Sequence, residues 1–394
     1  MRWLPLLLAL LVLPGTTGCD PCRGTDAAFA SPALRAIPED APAQMEIQVS
    51  LPGLSVRMDE VFPGGRAGAV RWTGLSLERT GGLAAVVAIL VSDGGRDAAG
   101  TIRLPVAPEV ADKGAGLAVF LDPTGPAEVR IGDVSPEARA EIDRLAASMP
   151  PAWLAAPVLD VLGWFSGAEY LPLRAVNVSA GNGVLSLQLA TGLEAAALSA
   201  PEKARRPGMA DDVTVSTSLS LLTALQAGGW LPVPPRGPAG ATEKPPTWPT
   251  QPNGWAVRAS VPATGDHGLV VPIAARRDDV CSFIRLDAAV KPGVAIGFLG
   301  WHPPQDLTVN ERRGGAKDLP DHAIDDLTRA ALAGLAAPLS PSPVLGPGTV
   351  NGVRGPARLV RTEGDALIID GLLVPAQSRP KRNKRPRGLD DESP

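Results

Sequence analysis

The sequence predicts a strand-rich α+β protein built as two lobes of antiparallel sheet, each with a helix packed on it. Three observations lead there. Short apolar runs that alternate with polar residues recur between turns rich in Gly, Pro, Asp and Asn. The spacing of apolar residues then switches to a helical period after each set of strands. The order strands, helix, apolar loop, hairpin occurs twice along the 394 residues, although the two halves share too little residue identity to count as a sequence repeat.

The chain opens with Met1-Arg2, an apolar run from Trp3 to Leu13, and Gly15-Thr16-Thr17-Gly18-Cys19. One positive charge, a short apolar core and small residues before a cysteine fit a cleaved export signal, and the run is too short for a spanning helix. Residues 1–18 are therefore expected to be removed. The segment resembles the lipobox of bacterial lipoproteins at Gly18-Cys19, with Thr16 standing where a leucine is usual. That resemblance implies lipid attachment at Cys19 and a chain anchored on the periplasmic side of a bacterial membrane, inner or outer being left open. Ala28-Phe29-Ala30 offers an A-x-A site for an ordinary cleaved signal instead.

Composition sets further bounds. Hydrophobic residues make up 45% of the chain but aromatics only 4%, so aliphatic side chains must fill most of the core. With 43 Gly and 42 Pro, about a fifth of all residues, many turns are expected without the composition of a disordered chain. The net charge of −4 conceals six cations at Arg379, Lys381, Arg382, Lys384, Arg385 and Arg387, which leave −10 on the rest. An exported chain with an acidic body is not expected to bind nucleic acid. Three cysteines are present. If Cys19 carries lipid, Cys22 and Cys281 remain as a candidate disulfide in a compartment that permits one. Cys281 as a buried free thiol is the other reading, because the Cα separation that decides between them is not written in the sequence.

The elements follow in order. Residues 19–43 lack periodicity and read as a tether. The N-terminal lobe, 44–231, begins with a strand through Met45, Ile47, Val49 and Leu51, continued by Leu54, Val56 and Met58 after a Pro52-Gly53 turn. Strands follow at Val70 to Leu77, Gly82 to Val91, Ile102 to Val106, Leu117 to Leu121 and Val129 to Ile131. Ser135 and Pro136 then open a helix with Ile142, Leu145 and Met149 on one face. Pro150-Pro151 ends it, and Ala152 to Phe165 reads as helical with a break at Pro157. Gly181-Asn182-Gly183 marks a hairpin between Val176 to Val178 and Val184 to Leu189. Val213 and Val215 form a short strand, and Ser216 or Thr217 caps a helix through Leu219, Leu222 and Leu225 that stops at Gly228. Residues 232–253 are Pro-rich and read as a linker. The C-terminal lobe, 254–376, places strands near Trp255 to Val261, Leu269 to Ile273, Phe283 to Val290, Val294 to Leu299 and Leu307 to Val309. Its helix runs from Asp321 to Ala336 with Ile324, Leu327, Ala331 and Leu335 on one face, and a hairpin turning at Glu363-Gly364-Asp365 closes the lobe. Residues 377–394 form a basic, Pro-interrupted tail without a core.

No arrangement of residues points to catalysis, and neither a metal nor a cofactor is expected. His267, His302 and His322 lack metal-ligand spacing. Asp321-His322 with Asp325-Asp326 could clasp a cation, but acids in the first turn equally favour the positive end of the helix dipole. Ser166 lacks the GxSxG spacing of a nucleophile elbow, and Gly346-Pro347-Gly348 lacks the Lys and following helix of a phosphate loop. The tail from Arg379 to Arg387 would be drawn to an anionic surface, each cation near a membrane contributing about 1 kcal/mol. A solubilising terminus, balanced by Asp390, Asp391 and Glu392, explains it as well.

What stands out is an excess of aliphatic surface. Leu83 to Val91 and Leu154 to Phe165 carry more apolar residues than a one-faced sheet requires, so they either line a groove or are covered by a second layer. The strand Val213-Thr214-Val215-Ser216 entering a Leu-rich helix that ends at Gly228, with hairpins around Gly183 and Gly364, resembles the tubular lipid-binding (TULIP) superfamily. The resemblance implies bent sheets around an apolar channel for acyl chains and no catalytic residues. It places lipid contacts at Leu219, Leu222 and Leu225 and at Ile324, Leu327 and Leu335. The short helices and the long linker depart from that pattern. The function expected from the sequence is therefore a non-catalytic, membrane-anchored lipoprotein that binds a lipid or acyl chain. The alternative is a structural or interaction lipoprotein with closed β-rich domains that binds a protein or cell-wall partner.

Overall fold

The computed structural model describes residues 29, 32–62, 64–79, 81–112, 117–148, 158–160, 172–199, 212–228, 254–266, 268–295, 298–336 and 357–371. The sequence readings of the signal segment, Cys19, Cys22, the linker and the basic tail lie outside these residues.

The first half contains β1 (Met45–Ser50), α1 (Leu51–Val61), β2 (Gly65–Ala67), β3 (Val70–Arg79), β4 (Leu83–Asp93), β5 (Arg96–Asp112), β6 (Leu117–Pro123), β7 (Glu128–Ile131), α2 (Pro136–Ser148), β8 (Leu159–Asp160), β9 (Leu173–Gly181), β10 (Val184–Thr191), β11 (Val213–Ser218) and α3 (Leu219–Gly228). The second contains β12 (Ala256–Ala259), β13 (Ala263–Gly265), β14 (Gly268–Arg277), β15 (Ser282–Val290), β16 (Pro292–Ala295), β17 (Phe298–Trp301), β18 (Asp306–Arg313), α4 (Asp321–Ala336), β19 (Ala357–Glu363) and β20 (Ala366–Gly371). The result is the strand-rich α+β fold that the alternating pattern predicts.

Three larger sheets organise these strands. One runs β2-β3-β4-β5-β6-β8 with β7 on β5, another β12-β14-β15-β18 with β13 on β14, and a central one β19-β20-β11-β1-β10-β9. The long β5 serves two partners in succession, pairing with β4 through Pro105 and with β6 from Val106 onward. Only the stretch Ile102 to Val106 stood out in the sequence, because β5 changes neighbours in its middle and so has no single alternating face.

The central sheet explains how two lobes share one chain. One face carries Met45, Ile47, Val49, Leu185, Leu187, Leu189, Val213 and Val215, which belong to the first hydrophobic core. On the same face Leu367 and Ile369 belong to the second core, together with residues of β12, β14, β15 and α4. Ile47, Val215, Ile369 and Val360 lie in register across four strands. The final hairpin, grouped by the sequence with the C-terminal lobe, therefore extends the sheet of β1 and β11 and fills the second core from there.

Several local expectations are corrected. Leu54, Val56 and Met58 form a helix and not a strand: Leu54 and Met58 are buried while Val56 is 57% exposed, a spacing of four with an exposed residue between. Ser50 Oγ accepts the Gly53 N–H at 3.2 Å, and Pro52 occupies the first turn, so the supposed turn is a helix start. The cap of α3 is Ser218, whose Oγ accepts the Leu221 N–H at 3.2 Å, while Ser216 and Thr217 stay in the ladder of β11. Leu159 and Asp160, read as helical, pair with β6 as a strand; the rest of 152–165 lies outside the described residues apart from Val158. Val294 to Leu299 is the hairpin β16–β17 and not one strand.

The segment read as a free tether is attached to the body at two places. Phe29 lies 4.6 Å from the Arg276 guanidinium and 5.6 Å from that of Arg258. Leu34 bridges Leu193, the Arg35 N–H donates to the Gly192 carbonyl at 2.7 Å, and Arg35 pairs with Glu194 at 2.9 Å. Burial lowers the affinity of Arg258 for its proton, and the charge of Arg276 adds to this. Cys281, held in a left-handed conformation after the β14 turn, is disulfide-bonded. Its partner lies outside the described residues, and the sequence holds two other cysteines, Cys19 and Cys22.

Candidate functional site

A cavity in the second lobe is framed by α4. Asp321 in its first turn suits the positive end of the helix dipole, and Ile324, Leu327, Ala331 and Leu335 point into the core as their spacing predicts. Asp325, Arg329, Leu332, Ala333 and Ala336 form the neighbouring stripe, and these five line a cavity of about 820 Å³.

The opposite wall comes from Leu299, Gly300 and Trp301 on β17, the loop His302-Pro303-Pro304, and Leu307 on β18. Two backbone bonds hold this wall: His302 N–H donates to the Lys291 carbonyl at 3.0 Å and Gln305 N–H to the Ala289 carbonyl at 2.8 Å. At Gly293 a Cβ would stand 2.7 Å from His302 Nε2, so a side chain there would displace the imidazole. The two prolines stiffen the loop between. The lining combines Leu299, Leu307, Leu332, Ala333, Ala336 and two prolines with Trp301, His302, Asp325 and Arg329. Arg329 pairs with Asp326 at 2.6 Å, and both side chains are largely exposed. Trp301 Nε1 is buried with no hydrogen-bond partner among the described residues.

The positions named for lipid contact lie elsewhere. Leu219, Leu222, Ile324, Leu327 and Leu335 are in the second core and Leu225 in the first, each at most 4% exposed. They pack against protein side chains and do not line the cavity. Cys281 is on the turn between β14 and β15, away from it. Of the lining residues the sequence drew attention to His302 and Asp325, in weighing a metal site, and to none as a ligand contact. The available signals were the Trp301-His302-Pro303-Pro304 run, and Leu332, Ala333 and Ala336, aliphatic positions beyond the single stripe a packed helix needs.

No protein-family model matches the sequence, and no curated protein matches it. Among solved structures, the chain has a likeness to a lipopolysaccharide binding protein at 8% identity and a TM-score of 0.32, covering 86% of this chain and all of that one. A second likeness is to P47 of Clostridium botulinum E1 at 8% identity and a TM-score of 0.33, covering 84% of this chain and 99% of that one. Neither carries an argument about function at that level of overlap.

Proposed function

We propose that this chain is a non-catalytic exported protein, anchored through lipid at Cys19, that takes up an apolar ligand such as a lipid acyl chain in the cavity beneath α4. The observation that supports the reading is the cavity itself: about 820 Å³, lined by Leu299, Leu307, Leu332, Ala333 and Ala336 together with Trp301, His302, Asp325 and Arg329, within the size of small-molecule sites. Each methylene buried there contributes about 0.8 kcal/mol, so an aliphatic wall gives affinity without a positioned polar group.

The test is direct titration of the purified full chain with a fluorescent fatty-acyl probe, with mass spectrometry of extracted lipids beside it. Ala333 is exposed at the cavity, so Ala333→Trp fills the space without disturbing the core. Saturable binding that weakens at least about tenfold in this variant, a loss of about 1.4 kcal/mol, supports the reading. Absence of both probe binding and co-purified lipid overturns it. The closed packing of Leu219, Leu222 and Leu225 favours a second reading, a structural lipoprotein that binds a protein or cell-wall partner, and that outcome would leave it standing.

A further inference from the structure

The cavity under α4 changes character from one end to the other. Its helical wall is a single stripe, Asp325, Arg329, Leu332, Ala333 and Ala336, spread over about 16 Å of helix. Asp325 and Arg329 at the start of the stripe are exposed, whereas Leu332 and Ala336 toward its end are 3% and 6% exposed. The facing wall grades in the same sense, from buried Leu299 through half-buried Trp301 to exposed His302. A ligand that fills this space is therefore amphiphilic. Its hydrocarbon lies among Leu299, Leu332 and Ala336, and its polar head stays with Asp325, Arg329 and Trp301.

The charges decide which head fits. Arg329 is the guanidinium of the lining, and it is engaged at 2.6 Å by Asp326, a carboxylate from outside the lining. Asp325 adds a second carboxylate, one position before Asp326 and four before Arg329. An anionic head would have to displace Asp326 from Arg329 and approach Asp325 at the same time. A cationic nitrogen meets Asp325 without displacing anything. On the facing wall the Trp301 indole is the side chain that attracts ammonium groups best.

Resting on the reading of this cavity as a lipid site, we propose that its ligand is an acyl amphiphile whose head carries a cationic nitrogen, an amine or a quaternary ammonium, held by Asp325 and Trp301. Discrimination between heads is a difference of two affinities. Exposed ion pairs and cation–π contacts are each modest, so the expected preference is about fivefold. The test titrates the full chain, below the micelle threshold, with lysophosphatidylcholine, lysophosphatidylethanolamine and lysophosphatidic acid of one acyl chain. The tighter of the two nitrogen-bearing lipids identifies the head, and it should bind at least about fivefold more tightly than the phosphate lipid. Asp325→Asn, at an exposed position, should shrink this ratio to within about twofold while the phosphate lipid binds no worse, a pattern that misfolding would not give. Equal or tighter binding of the phosphate lipid, or an unchanged ratio in Asp325→Asn, overturns the headgroup assignment and leaves the cavity reading standing. Binding of none of the three, or binding that Ala333→Trp does not weaken, overturns the cavity reading and this assignment with it.

Discussion

Gln226 Nε2 donates to the Ala331 carbonyl at 3.1 Å, while Gln226 Oε1 accepts the Ala259 N–H at 3.2 Å. One buried amide thus ties α3, which leaves the central sheet, to α4 and β12 of the second lobe. Gln226→Ala leaves the Ala259 donor shielded and unpaired, a cost of about 1–3 kcal/mol. Denaturant unfolding followed by a signal from the second lobe should show this loss, and an unchanged midpoint would remove the amide from any role in joining the lobes.

Leu327, 1% exposed, packs in the second core and does not line the cavity. Leu327→Ala is expected to destabilise the fold by about 2–5 kcal/mol. Binding of an acyl probe, measured well below the unfolding transition, should stay within about threefold of the unchanged chain. A selective loss of binding with stability preserved would place Leu327 in contact with the ligand.

Phe29 against Arg258 and Arg276 fastens the N-terminal segment to the outer side of β12 and β14. Cation–π contacts of this kind contribute about 0.5–2 kcal/mol, so Phe29→Ala should release the segment. The readout is faster hydrogen exchange at residues 29–36, with β14 unaffected. A chain cleaved after Ala30 would lack this contact altogether. Peptide mapping without reduction should find Cys281 joined to Cys22, as expected if Cys19 carries lipid; recovery of Cys281 linked to Cys19 would rule out a lipid on that sulfur.

Glu109 on β5 faces Asp122 on the neighbouring strand, and a hydrogen bond between the two carboxyl groups, with the charge of Asp122 and slight desolvation, raises the Glu109 pKa. The folded state therefore holds this proton more tightly than the unfolded chain. Its stabilising effect is present at low pH, below the unfolded pKa, and is lost as pH rises through the folded one. In Asp122→Ala the Glu109 titration, followed by carboxyl carbon NMR, should move down toward the ordinary carboxylate range. No movement would assign the shift to another cause.

Much of the fold follows from local pattern. Alternation at Met45, Ile47 and Val49 gives a strand one apolar face, Asn182-Gly183 supplies two residues with positive φ for a tight hairpin, and the stripe of Ile324, Leu327, Ala331 and Leu335 can only be an inward helix face. Where two local signals competed, as at Ser50-Leu51-Pro52-Gly53, a capping hydroxyl and a spacing of four outweighed the apparent turn. What no window of sequence contains is which strands become neighbours. The pairing of β11 with β20 joins residues 148 to 158 positions apart, and it decides that one sheet serves two cores. The cavity has the same origin: Leu332, Ala333 and Ala336 are ordinary helix residues until the β16–β17 hairpin stands opposite them. Side-chain period is fixed within a few residues, but empty space exists only between elements, and only their packing creates it.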